Sequence, residues 1–120
     1  MPHPTDIKLH RASRVLEINF DDGARFKLSC EYLRVFSPSA EVRGHGPGQE
    51  VLQVGKENVN ITAIEPVGHY AVKLYFDDGH NTGIYSWDWL YRLGTEHEAR
   101  WRDYLAQLAK AGHQRQAPAP

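Results

Sequence analysis

Phe20-Asp21-Asp22-Gly23 recurs later in the chain as Phe76-Asp77-Asp78-Gly79. Asp-Asp-Gly between apolar runs is a hairpin signal, because glycine takes positive φ at no steric cost. Leu16, Ile18 and Phe20 precede the first copy, and Phe26 and Leu28 follow it. That alternation has period two, the mark of half-buried strands. Ile7 and Leu9 carry it upstream, with a first turn at residues 12–14. The second copy is flanked in the same way. Residues 61–67 and 70–76 read as a hairpin bending at Gly68, and residues 82–85 as the return strand.

Each copy leads into a short helix. The first covers residues 30–36, with Tyr32, Leu33 and Phe36 as its apolar face. The second starts at Trp87, where Ser86 can cap it and Asp88 suits the helix dipole. Leu90 and Leu93 face inward, and Gly94 is the expected terminator. Tyr32-Leu33-Arg34 in the first helix has a counterpart in Leu90-Tyr91-Arg92 in the second. Two readings fit: convergence on a good hairpin turn, or two copies of one strand–turn–strand–helix unit. Both give an α+β fold of antiparallel β hairpins with short helices and a C-terminal helix.

Residues 1–5 hold two prolines and no periodicity, which predicts a frayed end. Residues 37–56 hold Pro38 and Pro47 with Gly44, Gly46, Gly48 and Gly55. They read as a long irregular segment with a short strand at 51–54; loops of this length are functional or mobile. Thr95 to Glu98 forms a capping-box pattern that starts a last helix running to about Ala111. Trp101, Tyr104, Leu105 and Leu108 share one face of it, and Gly112 is its natural stop. That stripe suits docking onto the sheet or a contact between two copies. Residues 113–120 are expected to be disordered.

The chain has 120 residues, 14 of them Lys or Arg and 15 Asp or Glu, for a net charge of −1 with histidine neutral. Apolar residues make up 41% and charged ones 24%, ordinary for one soluble domain. A near-neutral chain without a basic stripe argues against nucleic acid as partner. No apolar run approaches the length of a membrane span, and residues 1–10 are no signal peptide. The expected location is cytoplasmic, away from membranes. Cys30 is the only cysteine, so an internal disulfide and an all-cysteine metal site are both excluded.

Four segments form a series: Tyr32-Leu33-Arg34; Ser37-Pro38-Ser39-Ala40-Glu41-Val42; Ile61-Thr62-Ala63-Ile64-Glu65-Pro66-Val67-Gly68; and Asp78-Gly79-His80-Asn81-Thr82-Gly83-Ile84-Tyr85-Ser86-Trp87. Together they resemble the gamma-butyrobetaine hydroxylase-like N-terminal domain over about residues 5–94. The resemblance implies residues 1–94 as that domain, residues 95–112 as a helix added to it, and residues 113–120 as a tail. In carnitine-pathway dioxygenases such a domain precedes the catalytic one. Similar modules occur attached to iron–sulfur scaffold ATPases and alone in bacteria, with no established function; the stand-alone form is the better likeness. The resemblance also implies a structural zinc held by Cys-x-Cys-x-x-Cys and a histidine. Those columns fall here on Ser37, Ser39, Val42 and His80. Zinc sites need thiolate, imidazole or carboxylate, so no metal is expected, and His80 is the only retained ligand column.

Three roles stay open for His80. It is a satisfied histidine bonded to a serine hydroxyl or a carbonyl, or part of a rebuilt site with His45, to which Glu41 or His69 could be added, or a neutral imidazole lining a pocket. Residues 44–48 fail as a phosphate loop, because Gly55-Lys56 is followed by Glu57 at the wrong spacing. Arg43 and His45 could hold an anion weakly. No His-x-Asp or His-x-Glu pair exists for a facial iron triad, and there is no Gly-x-Ser-x-Gly elbow. Cys30 suits a small buried residue better than a nucleophile. No catalytic or cofactor-binding residues are assigned.

The reading that results is a non-enzymatic interaction module without cofactor. Its candidate patch is Ser37, Ser39, Arg43, His45, His80 and Trp87, facing an unidentified protein or small ligand. A homodimer through the Trp101 stripe is compatible with it. The alternative is a zinc- or iron-binding protein serving iron–sulfur or iron-enzyme maturation.

Overall fold

The two Asp-Asp-Gly turns fold alike, bond for bond. In the computed structural model, which describes residues 2–44 and 48–116, Phe20 N–H donates to Ala24 O at 2.8 Å and Gly23 N–H to Phe20 O at 3.0 Å. Phe76 N–H likewise donates to His80 O at 3.0 Å and Gly79 N–H to Phe76 O at 3.1 Å. Gly23 and Gly79 sit at φ 91° and 90°, where an L side chain would be strained. The middle aspartates close both turns: Asp22 accepts from Ala24 N–H at 2.9 Å and Asp78 from His80 N–H at 3.1 Å. Asp21 and Asp77 tie each turn to the strand before its hairpin, accepting from His3 N–H at 3.1 Å and Asn60 N–H at 3.0 Å.

Around these turns stand two antiparallel three-stranded sheets. β1 (Pro4–His10), β2 (Val15–Phe20) and β3 (Arg25–Ser29) form the first in the order β1-β2-β3. β4 (Ile61–Val67), β5 (Ala71–Phe76) and β6 (Ile84–Ser86) form the second in the order β4-β5-β6. The first strand of each sheet carries a register shift near its start, between Pro4 and Asp6 in β1 and between Ile61 and Ala63 in β4. Each sheet feeds a helix capped by a serine at the end of its last strand. Ser29 accepts from Tyr32 N–H to start α1 (Cys30–Val35), and Ser86 accepts from Trp89 N–H to start α3 (Trp87–Thr95), both at 3.0 Å. The duplicated strand–turn–strand–helix unit is thus the observed plan.

Alternating residues of both sheets meet the two helices in one core. Leu16, Ile18, Leu28 and Leu33 from the first unit pack with Ile61, Leu74, Leu90 and Leu93 from the second. α4 (His97–Lys110) lays Tyr104 and Leu108 against Val35 at the end of α1. It stops at a Schellman turn, with Gly112 N–H on Ala109 O and His113 N–H on Leu108 O. Among the described residues no helix is long and apolar enough to cross a membrane.

Several expectations are corrected. The N-terminal strand begins at Pro4, because residues 4–10 pair with β2 through to Phe20; residue 1 lies outside the described residues. Residues 51–54 form no strand, with Val51 and Val54 exposed. Instead a four-residue helix, α2 (Ala40–Arg43), follows Ser39, whose hydroxyl caps Glu41 N–H. Gly94 does not end α3. It lies inside the helix because Phe26 covers it, and a Cβ there would come within 2.4 Å of that ring. The capping box does not form: Thr95 Oγ1 bonds back to Arg92 O, while the Glu96 carboxylate pairs with Arg92 and Arg100. Leu105 is 40% exposed rather than on the docking face. Residues 113–116 are ordered along the body, since Arg115 clasps Glu31 and Gln116 N–H donates to Glu57 at 2.9 Å; residues 117–120 lie outside the described residues.

Candidate functional site

The two units hold each other reciprocally, and this sets the site. From α1, Arg34 Nε donates to Asp78 in the second unit's turn at 2.9 Å; from α3, Tyr91 OH donates to Asp22 in the first unit's turn at 2.6 Å. Tyr32 OH donates to Leu93 O at 2.6 Å, and Trp89 Nε1–H donates to Phe36 O at 3.1 Å. Each helix therefore reads the other's carboxyl end. Arg34 Nη1 also donates to Gln53 Oε1, and Tyr104 OH to Gln53 O, which pins residues 51–53 across α1.

His80 sits directly after the second turn, 6% exposed. Ser37, just past α1, reaches it: Ser37 Oγ and His80 Nε2 lie 2.8 Å apart. On the other side His80 Nδ1 is 3.3 Å from Glu41 Oε2 on α2. Burial pushes the imidazole pKa down, Arg34 adds to that, and Glu41 and Asp78 only partly oppose it. A carboxylate can only accept, so the neutral ring carries its proton on Nδ1 and takes Ser37 O–H at Nε2. Ser37 Oγ in turn accepts from Ser39 N–H, and Ser39 Oγ bonds Thr82 Oγ1 at 2.7 Å. Among the sequence-stated roles for His80, this geometry is that of a satisfied histidine bonded to a serine hydroxyl.

Serine, histidine and carboxylate in this order are the hydrogen bonds of a hydrolase triad. Ser37, however, is 1% exposed. It lies under Gly83, where a Cβ would come within 2.4 Å of Oγ, so no acyl carbon can approach that oxygen. As a metal site the donor set does not fit. Of Ser37, Ser39, Val42 and His80, two are hydroxyls engaged in hydrogen bonds, Val42 is apolar, and both ring nitrogens of His80 are occupied. Among the described residues no group of three or more His, Cys, Asp or Glu side chains could hold one ion. Cys30 is fully buried with its thiol toward Asn60 Oδ1 at 3.7 Å, and burial raises its pKa, away from thiolate.

The fold gathers Ser37, Ser39 and His80 but turns Trp87 away from them. Trp87 turns to the β4–β5 bend, where its indole N–H donates to His69 O at 2.8 Å. His45 lies outside the described residues. Arg43 instead lies over Trp89, its guanidinium carbon 4.5 Å from the ring centroid. Arg100 and Arg92 approach the same ring at 4.7 and 5.4 Å. Beside them a groove of about 1030 Å³ runs between α1, α2, residues 50–53, α3 and α4. Arg92 and Arg100 were given no site role from the sequence. The i, i+4 spacing of Glu96 and Arg100 was a usable signal, whereas nothing local pairs Arg43 with Trp89.

No curated protein matches the chain. Among solved structures, one determined by NMR is 56% identical, with a TM-score of 0.84; the likeness covers 99% of this chain and 89% of that one. A second NMR structure is 48% identical over 100% of this chain and 94% of that one, with a TM-score of 0.83. A crystal structure from Acidithiobacillus ferrooxidans ATCC 23270, of a DUF971-family protein of unknown function, is 42% identical. It covers 77% of this chain and 92% of its own, with a TM-score of 0.65. The profile of the family described as gamma-butyrobetaine hydroxylase-like, N-terminal, matches residues 7–91. Its span takes in both Asp-Asp-Gly turns, the Ser37–His80 pair and helices α1 to α3 up to Tyr91, and the chain belongs to this family.

Proposed function

We propose that the protein is a non-enzymatic interaction module of the gamma-butyrobetaine hydroxylase-like N-terminal family, in which a hydrogen-bonded cluster stands in place of a zinc. The observation that carries this is the buried Ser37–His80 contact at 2.8 Å. A neutral imidazole that accepts at Nε2 and donates at Nδ1 has no lone pair left for a metal. The cluster does a ligand set's mechanical work instead, tying the end of α1 and the start of α2 to the second turn. What remains for function is surface: the face around α2 and α3. The module acts in the cytoplasm on a protein or small ligand, without nucleic acid or a membrane, as its near-neutral charge supports.

Elemental analysis and native mass spectrometry of untagged protein test the reading. The expected result is a folded, metal-free chain whose fold is unchanged by added zinc. About one zinc or iron per chain, lost in His80→Ala, would overturn it in favour of a metal-binding protein.

A further inference from the structure

We infer that the groove beside Trp89 is a docking site for an acidic peptide segment of a partner protein, carrying an apolar anchor between its carboxylates; this rests on the interaction-module reading above. The groove has an apolar floor, from Val35, Leu52 and Tyr104, under a charged rim. Its volume, about 1030 Å³, lies at the upper end of small-molecule sites. An open groove of that size suits an extended segment better than a compact ligand.

The rim is unbalanced. Arg43, Arg92 and Arg100 all approach one indole ring. Arg92 and Arg100 share a single carboxylate, Glu96, at 3.4 and 2.7 Å. Arg43 is exposed and, among the described residues, in no ion pair. Glu50 lines the rim too and forms no ion pair with them. The chain as a whole is slightly acidic, so this concentration of guanidinium is local, and it complements acidic side chains.

The arginines are also set in advance. Trp89 is fixed at both ends, by the Ser86 cap on its N–H and by its indole N–H on Phe36 O. Guanidinium groups held against a fixed ring have less freedom to lose when a carboxylate arrives. The ring keeps the three guanidinium groups together on one rim, beside an apolar floor that offers a surface to the anchor.

An array of random peptides of about ten residues, roughly 33 Å when extended, probed with the full chain, tests this. The expected selection is an apolar residue flanked by Asp or Glu. A selected peptide should shift the Trp89 indole N–H signal in NMR spectra. Its binding should weaken with added salt and fall roughly tenfold or more in Arg43→Glu, with Arg43→Lys between. Because Arg43 is exposed, the folded spectrum should persist in both variants. No selected peptide, peptides without acidic residues, an unmoved Trp89 signal, or Arg43→Glu binding as wild type would each overturn the proposal. Peptides that bind elsewhere on the surface would overturn the groove alone and leave the module reading standing. Stoichiometric metal would remove that reading whatever the array selects.

Discussion

Arg34 and Asp78 meet at 2.9 Å across the two units, in the place where Tyr91 meets Asp22 on the other side of the molecule. The first contact is an ion pair behind a buried arginine side chain, 9% exposed, and Lys56 joins it at 2.9 Å. The second is a surface hydroxyl on a carboxylate. The two halves share a plan and differ in how firmly it is held.

Asp78→Asn should therefore cost about 2 kcal/mol, because it leaves a buried guanidinium short of its carboxylate. Asp22→Asn should cost less, since its partner is neutral and its site open. Burial alone would push the Asp78 pKa up; the hydrogen bonds from Lys56, the His80 N–H and Arg34 outweigh it and hold the carboxyl down at about 2. With a folded pKa below the unfolded value of 3.8, this stabilisation is complete above pH 4 and is lost as pH falls towards 2. Urea unfolding of both variants across that range checks the difference.

His80 should titrate below its ordinary 6.5 in a histidine-resolved NMR series. The unfolded chain then takes up this proton at a higher pH than the folded one. The contribution of His80 to stability accordingly falls as pH drops below 6.5 and through the folded value. Ser37→Ala removes the partner at Nε2 and should cost about 1–2 kcal/mol at neutral pH. An unperturbed His80 titration in wild type would contradict the buried neutral ring.

Gly94→Ala should destabilise, although alanine is the better helix former by about 1 kcal/mol. The added methyl would meet the Phe26 ring at 2.4–2.6 Å, and such overpacking costs about 1–3 kcal/mol. Thermal melting decides the sign; a higher midpoint would mean the ring moves aside freely.

Deleting residues 114–120 should cost about 2 kcal/mol. The Glu31 side chain is 5% exposed and loses its bidentate partner, Arg115, which is itself partly exposed and stacked over Trp101. Arg115→Ala should reproduce most of the loss. Equal unfolding midpoints for the full and shortened chains would show that the tail does not clasp.

Much of the fold was legible because its signals are local. The Asp-Asp-Gly turns, the period-two strands and the Ser86 cap each depend on a few neighbouring residues; the turns and the cap appear where they were read, while the return strand lies at Ile84–Ser86 rather than 82–85. The misread elements turn on contacts that the local pattern does not single out. Gly94 looks like a terminator until Phe26 covers it, and Thr95 looks like a cap until Glu96 turns to Arg92 and Arg100. The site divides the same way. His80 with a serine partner could be stated from the sequence. Glu41 was named beside His80 only as part of a rebuilt metal site; its place as hydrogen-bond partner needed α2, a four-residue helix too short to leave a periodic pattern.

By itself the sequence determined the recurring Asp-Asp-Gly turn, the α+β class and the family. Backbone turn chemistry and side-chain alternation act over a few residues, so they can be read in one dimension. Only the tertiary structure decided that the two units clasp each other through Arg34 and Tyr91, that Arg43 lies over Trp89 rather than beside Trp87, and that the tail closes on Glu31. Those contacts join residues far apart in the chain, and their partners are chosen by which surfaces the packed core brings within hydrogen-bonding reach.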